Sequence, residues 1–309
     1  MTAPGPEAPA PDGGPGRGAD PVREWPTDVH VHMQPWDMMR PAARAAIEKS
    51  RDDLPFLESL RRDATAFVAH HDAMRIGRAG VVNYVAPDVM GFHPDVNEWA
   101  AEFRFKAGGR VIAFGGIHPP SCGHVRGEMK RLLDRLRLDA IKIHPPHQEL
   151  APDAYRTGAC ADLAEVYGIC QERGVPIMFH TGTSVFPGAR SRLGEPLILD
   201  DVAIDFPKLK IIMAHGGRPL WADQAFFLLR RHPNMWMDLS GIPPKKVLEA
   251  FPRIEEVAGR VLWGTDWPSP GVRGMRQNLD DFLALPIGED AKRKITRDNA
   301  LELFPPKTS

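Results

Sequence analysis

The sequence has little of what several protein classes require. Its three cysteines, Cys122, Cys160 and Cys170, are odd in number and include no CxxC pair. That argues against a disulfide framework and fits a reducing compartment. No stretch approaches the roughly 18 apolar residues of a membrane span. The first residues contain no apolar run of the kind a secretory signal needs. Neither sign of charge is in excess, since 39 basic and 40 acidic side chains leave a formal net charge of −1. This gives no electrostatic case for nucleic acid or for an anionic membrane surface. The expectation is a soluble, cytoplasmic protein whose partner is a small molecule, with homo-oligomerisation left open.

Large apolar residues are also scarce at the start. Residues 1 to about 22 are mostly Pro, Gly and Ala. Such a segment cannot bury enough surface to offset its ordering entropy. A disordered leader over 1–24 is therefore expected, followed by a single domain over 25–309. The full chain of 309 residues suits one α/β barrel, typically about 250 residues plus insertions.

Short apolar runs recur along that domain, near 27–32, 81–85, 111–117, 140–143, 176–180, 210–215, 235–240 and 261–266. Helical patterns such as 125–138, 155–174 and 220–233 separate most of them. Strands alternating with helices point to βαβ units and a parallel sheet. Near-continuous apolar strands suit burial on both faces. An open doubly wound sheet would favour a Gly-rich phosphate turn after the first strand. Here that strand runs into Met33-Gln34-Pro35-Trp36 instead. The expected fold class is thus α/β, a (β/α)8 TIM barrel. It has a long helical insertion after the first strand and an extra helix at 289–304. The front of the insertion, Met33 to Arg40, is rich in Met and Trp and reads either as a pocket wall or as ordinary hydrophobic contact.

The strand ends carry the chemistry. In Asp28-Val29-His30-Val31-His32 the two imidazoles share one strand face, close enough to bind one ion. The other ends supply Asn83, His118, Lys142, His144, His180, His215, Asp238 and Asp266. Reactive groups of α/β barrels sit at the C-terminal ends of strands. A ring of imidazoles and carboxylates there suits a divalent metal such as zinc, and also manganese or iron. His118 and His144 each precede prolines and read either as loop caps or as substrate contacts. Arg218 reads as a substrate-carboxylate clamp or as a surface ion pair. Trp36, Trp221 and Trp267 form an aromatic wall or pack in the core.

Together, His30-x-His32, His180 after Pro-Ile-Met-Phe, His215-Gly216-Gly217 and Gly264-Thr265-Asp266-Trp267-Pro268 resemble the amidohydrolase superfamily. The match is nearest to the amidohydrolase-related branch that includes aminocarboxymuconate-semialdehyde and resorcylate decarboxylases. The resemblance covers about 25–304 and implies that His30, His32, His180 and Asp266 hold the metal. It implies His215 as acid or base, with Asp266 also serving as proton acceptor. In other branches a carboxylated lysine on the fourth strand bridges two metals. Lys142 could carry that group, pair with a carboxylate or bind substrate, and the last two are favoured. The implied function is a metal-dependent hydrolase acting on a small carboxylate- or acyl-bearing substrate through a metal-activated water. Lys142, His144, Arg218 and His118 are its candidate substrate contacts. The alternative is a non-oxidative decarboxylase of an aromatic or enoic acid, and a third reading is a barrel that only binds a ligand.

Overall fold

The computed structural model describes residues 20–307. Eight parallel strands follow one another in chain order around a single sheet. They are β1 (Thr27–Val31), β2 (Arg78–Val82), β3 (Val111–Gly115), β4 (Ala140–Ile143), β5 (Ile177–His180), β6 (Ile211–Ala214), β7 (Met235–Asp238) and β8 (Val261–Leu262). Each pairs with the next in parallel register. β8 returns to β1 through three backbone hydrogen bonds. Val29 N donates to Trp263 O at 3.1 Å, Asp266 N to His30 O at 2.8 Å and His32 N to Trp267 O at 2.7 Å. The chain is therefore the expected TIM barrel, with a helical insertion (Pro41–Glu48, Leu54–Arg62, Ala64–Ala73) after β1. No helix among the described residues is long and apolar enough to cross a membrane.

Every strand is buried along its whole length, which explains why their sequences lack polar alternation. Alternate residues fill the two sides. Val29, Ile112, Phe114, Ala140, Met178, Ile212, Trp236 and Leu262 form one cluster with Ala300, Leu303 and Phe304. Val31, Ala113, Ile141, Phe179, Met213 and Met237 belong to a second, larger cluster with the surrounding helices. The C-terminal segment thus joins the barrel interior, and the Phe304 ring meets Phe114 at 5.5 Å.

Two boundaries differ from the sequence reading. β2 begins at Arg78 rather than near 81. Gly80 makes this pairing feasible, because a Cβ there would sit 2.1 Å from Val29 O. Tyr84 and Val85 consequently lie beyond the strand, on the barrel mouth. Residues 1–19 of the expected leader lie outside the described residues, whereas Pro21–Glu24 form one helical turn capped by the Asp20 side chain.

Asp28 braces the closing seam. Its Oδ1 accepts from His30 N and Thr265 N, and its Oδ2 from Thr265 Oγ1 at 2.6 Å. Burial pushes this carboxyl up to about 7, against the opposing pull of the Thr265 and His30 hydrogen bonds. A carboxyl whose folded pKa exceeds its unfolded value holds more protons when folded, so stability falls as pH rises from about 4 to about 7. Asp28→Asn can accept both backbone N–H groups and donate to Thr265 Oγ1. It is expected to fold and to flatten this slope. Thermal melts at pH 5 and pH 8 should show wild type losing more stability than the variant, by on the order of 1–4 kcal/mol. Equal losses would contradict the assignment.

Candidate active site

The closing seam delivers Asp266 to His30 on β1 and to His32 just past its end. Asp266 Oδ1 lies 3.1 Å from His32 Nε2 and 3.7 Å from His30 Nε2. One ligand atom from each of these three residues falls within 4.8 Å of the others. Asp266 and His215 both adopt positive φ, +69° and +68°. Left-handed backbone in non-glycine residues is costly and concentrates at functional sites.

Burial alone would raise the Asp266 carboxyl. The His32 hydrogen bond and the Arg218 guanidinium instead hold it well below the usual carboxylate range. Arg218 Nη2 stands 3.3 Å from Asp266 Oδ2. Its guanidinium lies directly over Gly241, where a Cβ would come within 2.4 Å of Nε.

Asp238, at the end of β7, sets the orientation of the imidazoles. Its Oδ2 accepts from His30 Nδ1 at 3.0 Å. Its Oδ1 accepts from the backbone N–H groups of His215 and Ser240 and from the Ser240 hydroxyl. Burial opposes ionisation, but His30, Ser240 and Lys142 hold the Asp238 carboxyl below its ordinary value. An ionised carboxylate only accepts, so His30 carries its proton on Nδ1 and turns a bare Nε2 toward Asp266. That Nε2 is buried and has no hydrogen-bond partner. His215 is fixed in the same way, because its Nδ1 lies 3.0 Å from the Ser240 carbonyl, which also only accepts. Its Nε2 is therefore the basic nitrogen. Burial, then the neighbouring Arg218 and histidines, push His215 well below the usual imidazole value, so it is neutral.

The other expected residues fall as follows. His180 is not part of the tight three-residue set, but its ring centroid is 4.7 Å from that of His215. Its Nε2 is another buried nitrogen without a partner. His144 stacks on His180 at 3.9 Å. Lys142 is fully buried on the inner face of β4, with Nζ unpartnered. Burial lowers it to about 8, against the pull of Asp238 and Asp266. It forms neither a close carboxylate pair nor part of the cavity wall. His118 is a loop cap, bonded to Ser121 Oγ and Gln148 O, and does not line the cavity.

The cavity over this cluster measures about 520 Å³, and His32, His144, His180, His215, Arg218 and Asp266 all reach it. Gln34 and Trp36 bring the insertion to its wall, whereas Trp221 and Trp267 do not line it. The sequence reading passed over Ser240, Tyr84 and His147. A serine two residues after a strand-end aspartate was the available signal for the first.

A closed α/β barrel with buried imidazoles and a carboxylate converging at its mouth defines a candidate divalent-metal site. The chain belongs to the amidohydrolase family, whose model matches residues 27–305. It is 28% identical over 159 residues to a 2-pyrone-4,6-dicarboxylate hydrolase of Comamonas testosteroni, covering 39% of this chain and 52% of that protein. It is 27% identical over 123 residues to an L-fucono-1,5-lactonase of Burkholderia ambifaria, covering 32% and 42%. The chain thus spans about half the length of these curated relatives or less. The 5-carboxyvanillate decarboxylase structure from Sphingomonas paucimobilis superposes with a TM-score of 0.61 at 19% identity, covering 93% of this chain and 100% of that one. At that identity the likeness is one of fold.

If Asp238 orients His30, removing its charge should weaken cation binding without unfolding the barrel. Asp238→Asn is expected to lower zinc affinity about 10–100-fold, the usual effect of losing a carboxylate behind a histidine ligand. Competition with a chromophoric chelator, beside circular dichroism, measures this. Unchanged affinity would remove Asp238 from that role.

Proposed function

We propose that the chain is a metal-dependent hydrolase that opens a small cyclic ester carrying a carboxylate. The observation that carries this is the pair of buried, unpartnered Nε2 atoms on His30 and His180 beside the His32–Asp266 contact. Bare imidazole nitrogens and an ionised carboxylate are a divalent-cation ligand set, and burying them otherwise unsatisfied would be costly. His30, His32, His180 and Asp266 would hold the ion, with zinc favoured and manganese or iron compatible with the same donors. When bound, the ion supplies Lewis acidity, polarising a carbonyl and making water nucleophilic near neutral pH.

The remaining work falls to this chain's own groups. His215 Nε2, bare and neutral, accepts a proton from the attacking water and returns it to the ester oxygen as the ring carbon–oxygen bond breaks. Arg218 has a buried Nε without a partner and reaches the cavity, which suits a substrate carboxylate. Two relatives named for opening a pyrone and a lactone support ester hydrolysis over other chemistry. Loss of carbon dioxide from an aromatic acid would use the same ring, with His215 delivering the proton to carbon. Ring opening of a pyrone carboxylate or aldonolactone, followed by pH-stat, should therefore be run beside carbon dioxide release from hydroxybenzoates. Gas release without lactone opening would replace the hydrolase reading.

About one divalent ion per chain is expected by elemental analysis, and chelation should remove ion and activity together. Active protein without metal would sink the proposal. His215→Asn is expected to lower turnover about 10²–10⁴-fold with metal content retained. His180→Ala should lose both. Metal loss in a folded His215→Asn would make His215 a ligand instead.

A further inference from the structure

Three side chains outside the ligand ring form a continuous hydrogen-bonded line at the cavity wall. The Tyr84 hydroxyl lies 2.9 Å from His147 Nδ1, and His147 Nε2 lies 2.7 Å from Ser184 Oγ. Tyr84 stands just past β2, His147 in the turn after β4 and Ser184 in the loop after β5. All three line the cavity. The line is well braced. His147 stacks on His144 at 3.5 Å and meets the edge of Phe186 at 5.3 Å. Gln148 ties the segment after β4 to those after β2 and β3, by accepting from His144 N and donating to Val85 O and Ile117 O.

His147 is buried, and burial, then the nearby His32 and Lys142, push it well below the usual imidazole value. A neutral imidazole has one N–H and one lone pair, so the line can run in only two senses. In one, the phenol donates to Nδ1, Nε2–H donates to Ser184, and the serine hydrogen is left free. In the other, serine donates to Nε2, Nδ1–H donates to the phenol oxygen, and the phenol hydrogen is left free. Either way the wall offers the cavity one free hydroxyl hydrogen at one end and one oxygen lone pair at the other. A simple packing role for the three residues would not require both imidazole nitrogens to be engaged by hydroxyls.

We propose that the Tyr84–His147–Ser184 line is the specificity arm of the cavity, holding a ring hydroxyl or carbonyl oxygen of a small cyclic acid whose carboxyl end sits at Arg218 and the His32–Asp266 cluster. Tyr84 or Ser184, at opposite ends of the line, contacts the substituent, and His147 positions them. This rests on the reading of that cluster as the reactive centre. A partner that reads both donors and acceptors discriminates strongly, because an analogue lacking the oxygen leaves a buried polar group unpaired.

The test is calorimetric binding of benzoate and of 2-, 3- and 4-hydroxybenzoate to zinc-loaded protein. The readout is the ratio of each hydroxy acid's affinity to that of benzoate within each protein, so that general losses cancel. At least one ratio should be roughly tenfold in wild type, the equivalent of one added hydrogen bond. It should collapse toward one in Tyr84→Phe or Ser184→Ala. In parallel, ¹⁵N-histidine spectra should show His147 with one protonated and one bare nitrogen, and its Nδ1 signal should move in Tyr84→Phe. Ratios near one in wild type, or ratios untouched by both substitutions, would overturn the proposal. So would a doubly protonated His147 or an Nδ1 signal indifferent to Tyr84→Phe. If benzoate and all three hydroxy acids fail to bind while the His147 signals are as expected, the carboxyl-end reading fails, and the substrate class proposed here fails with it.

Discussion

Everything at the barrel mouth depends on the seam where β8 meets β1. The hydrogen bond from Asp266 N to His30 O, 2.8 Å long, closes the ring and also sets the Asp266 carboxylate beside two imidazoles from a strand more than two hundred residues earlier. Behind it, Asp28 accepts from both strands at once, through His30 N and Thr265 N. Closure and ligand geometry are therefore one constraint. A barrel left open at this edge would keep its hydrophobic layers but lose the convergence of the reactive groups.

The second level of control is electrostatic. Four imidazoles, a lysine and two carboxylates share one desolvated volume, where charged forms are disfavoured unless compensated. The outcome divides cleanly. His30, His180 and His215 lose their second proton to burial, while Asp238 and Asp266 stay ionised because hydrogen bonds and neighbouring cations outweigh their desolvation. Acceptor-only partners at His30 Nδ1 and His215 Nδ1 then leave each of these two rings its lone pair on Nε2. Asp238 holds the His30 ring and the His215 backbone N–H, so one carboxylate helps to place both histidines. Lys142 fits this balance as a buried cation facing Asp238 and Asp266 from a distance, which is why neither a tight ion pair nor a cavity contact is found for it.

Much of this was legible in the sequence because strand ends are short and local. His30-x-His32, His215 and Asp266 are each adjacent to a strongly apolar run, so their placement at the mouth follows from strand periodicity and barrel topology. Asp238 was visible as a strand-end carboxylate, but its action on two histidines depends on β7 lying within reach of both β1 and β6, which no local pattern states. The start of β2 was misjudged because Arg78 and Gly80 look unlike a buried strand. In fact the Arg78 guanidinium donates through Nη1 to Phe304 O, from the far end of the described chain. Tyr84 and His147 were missed for a related reason. Each sits in a loop with an unremarkable sequence, and only the neighbouring ends of β2, β4 and β5 bring them together.

The division between what strands and loops encode bears on why the reaction is hard to read from the ring. Imidazoles, a carboxylate and a neutral base at strand ends can serve attack by water on an ester or delivery of a proton to carbon, since both need a polarised oxygen and a mobile proton. One ring can therefore serve either reaction, and the choice of chemistry falls to groups that hold the rest of a substrate. In this chain the loop residues that line the cavity are Arg218 after β6, Trp36 in the insertion, and Tyr84, His147 and Ser184 after β2, β4 and β5. On the proposed reading, a ring hydroxyl held at the loop side would turn the substrate about its carboxyl end. That rotation would then decide whether an ester carbonyl or a ring carbon faces His215 Nε2. On that reading, substrate orientation set by neutral hydrogen bonds at one wall would be the physical variable that separates hydrolysis from decarboxylation.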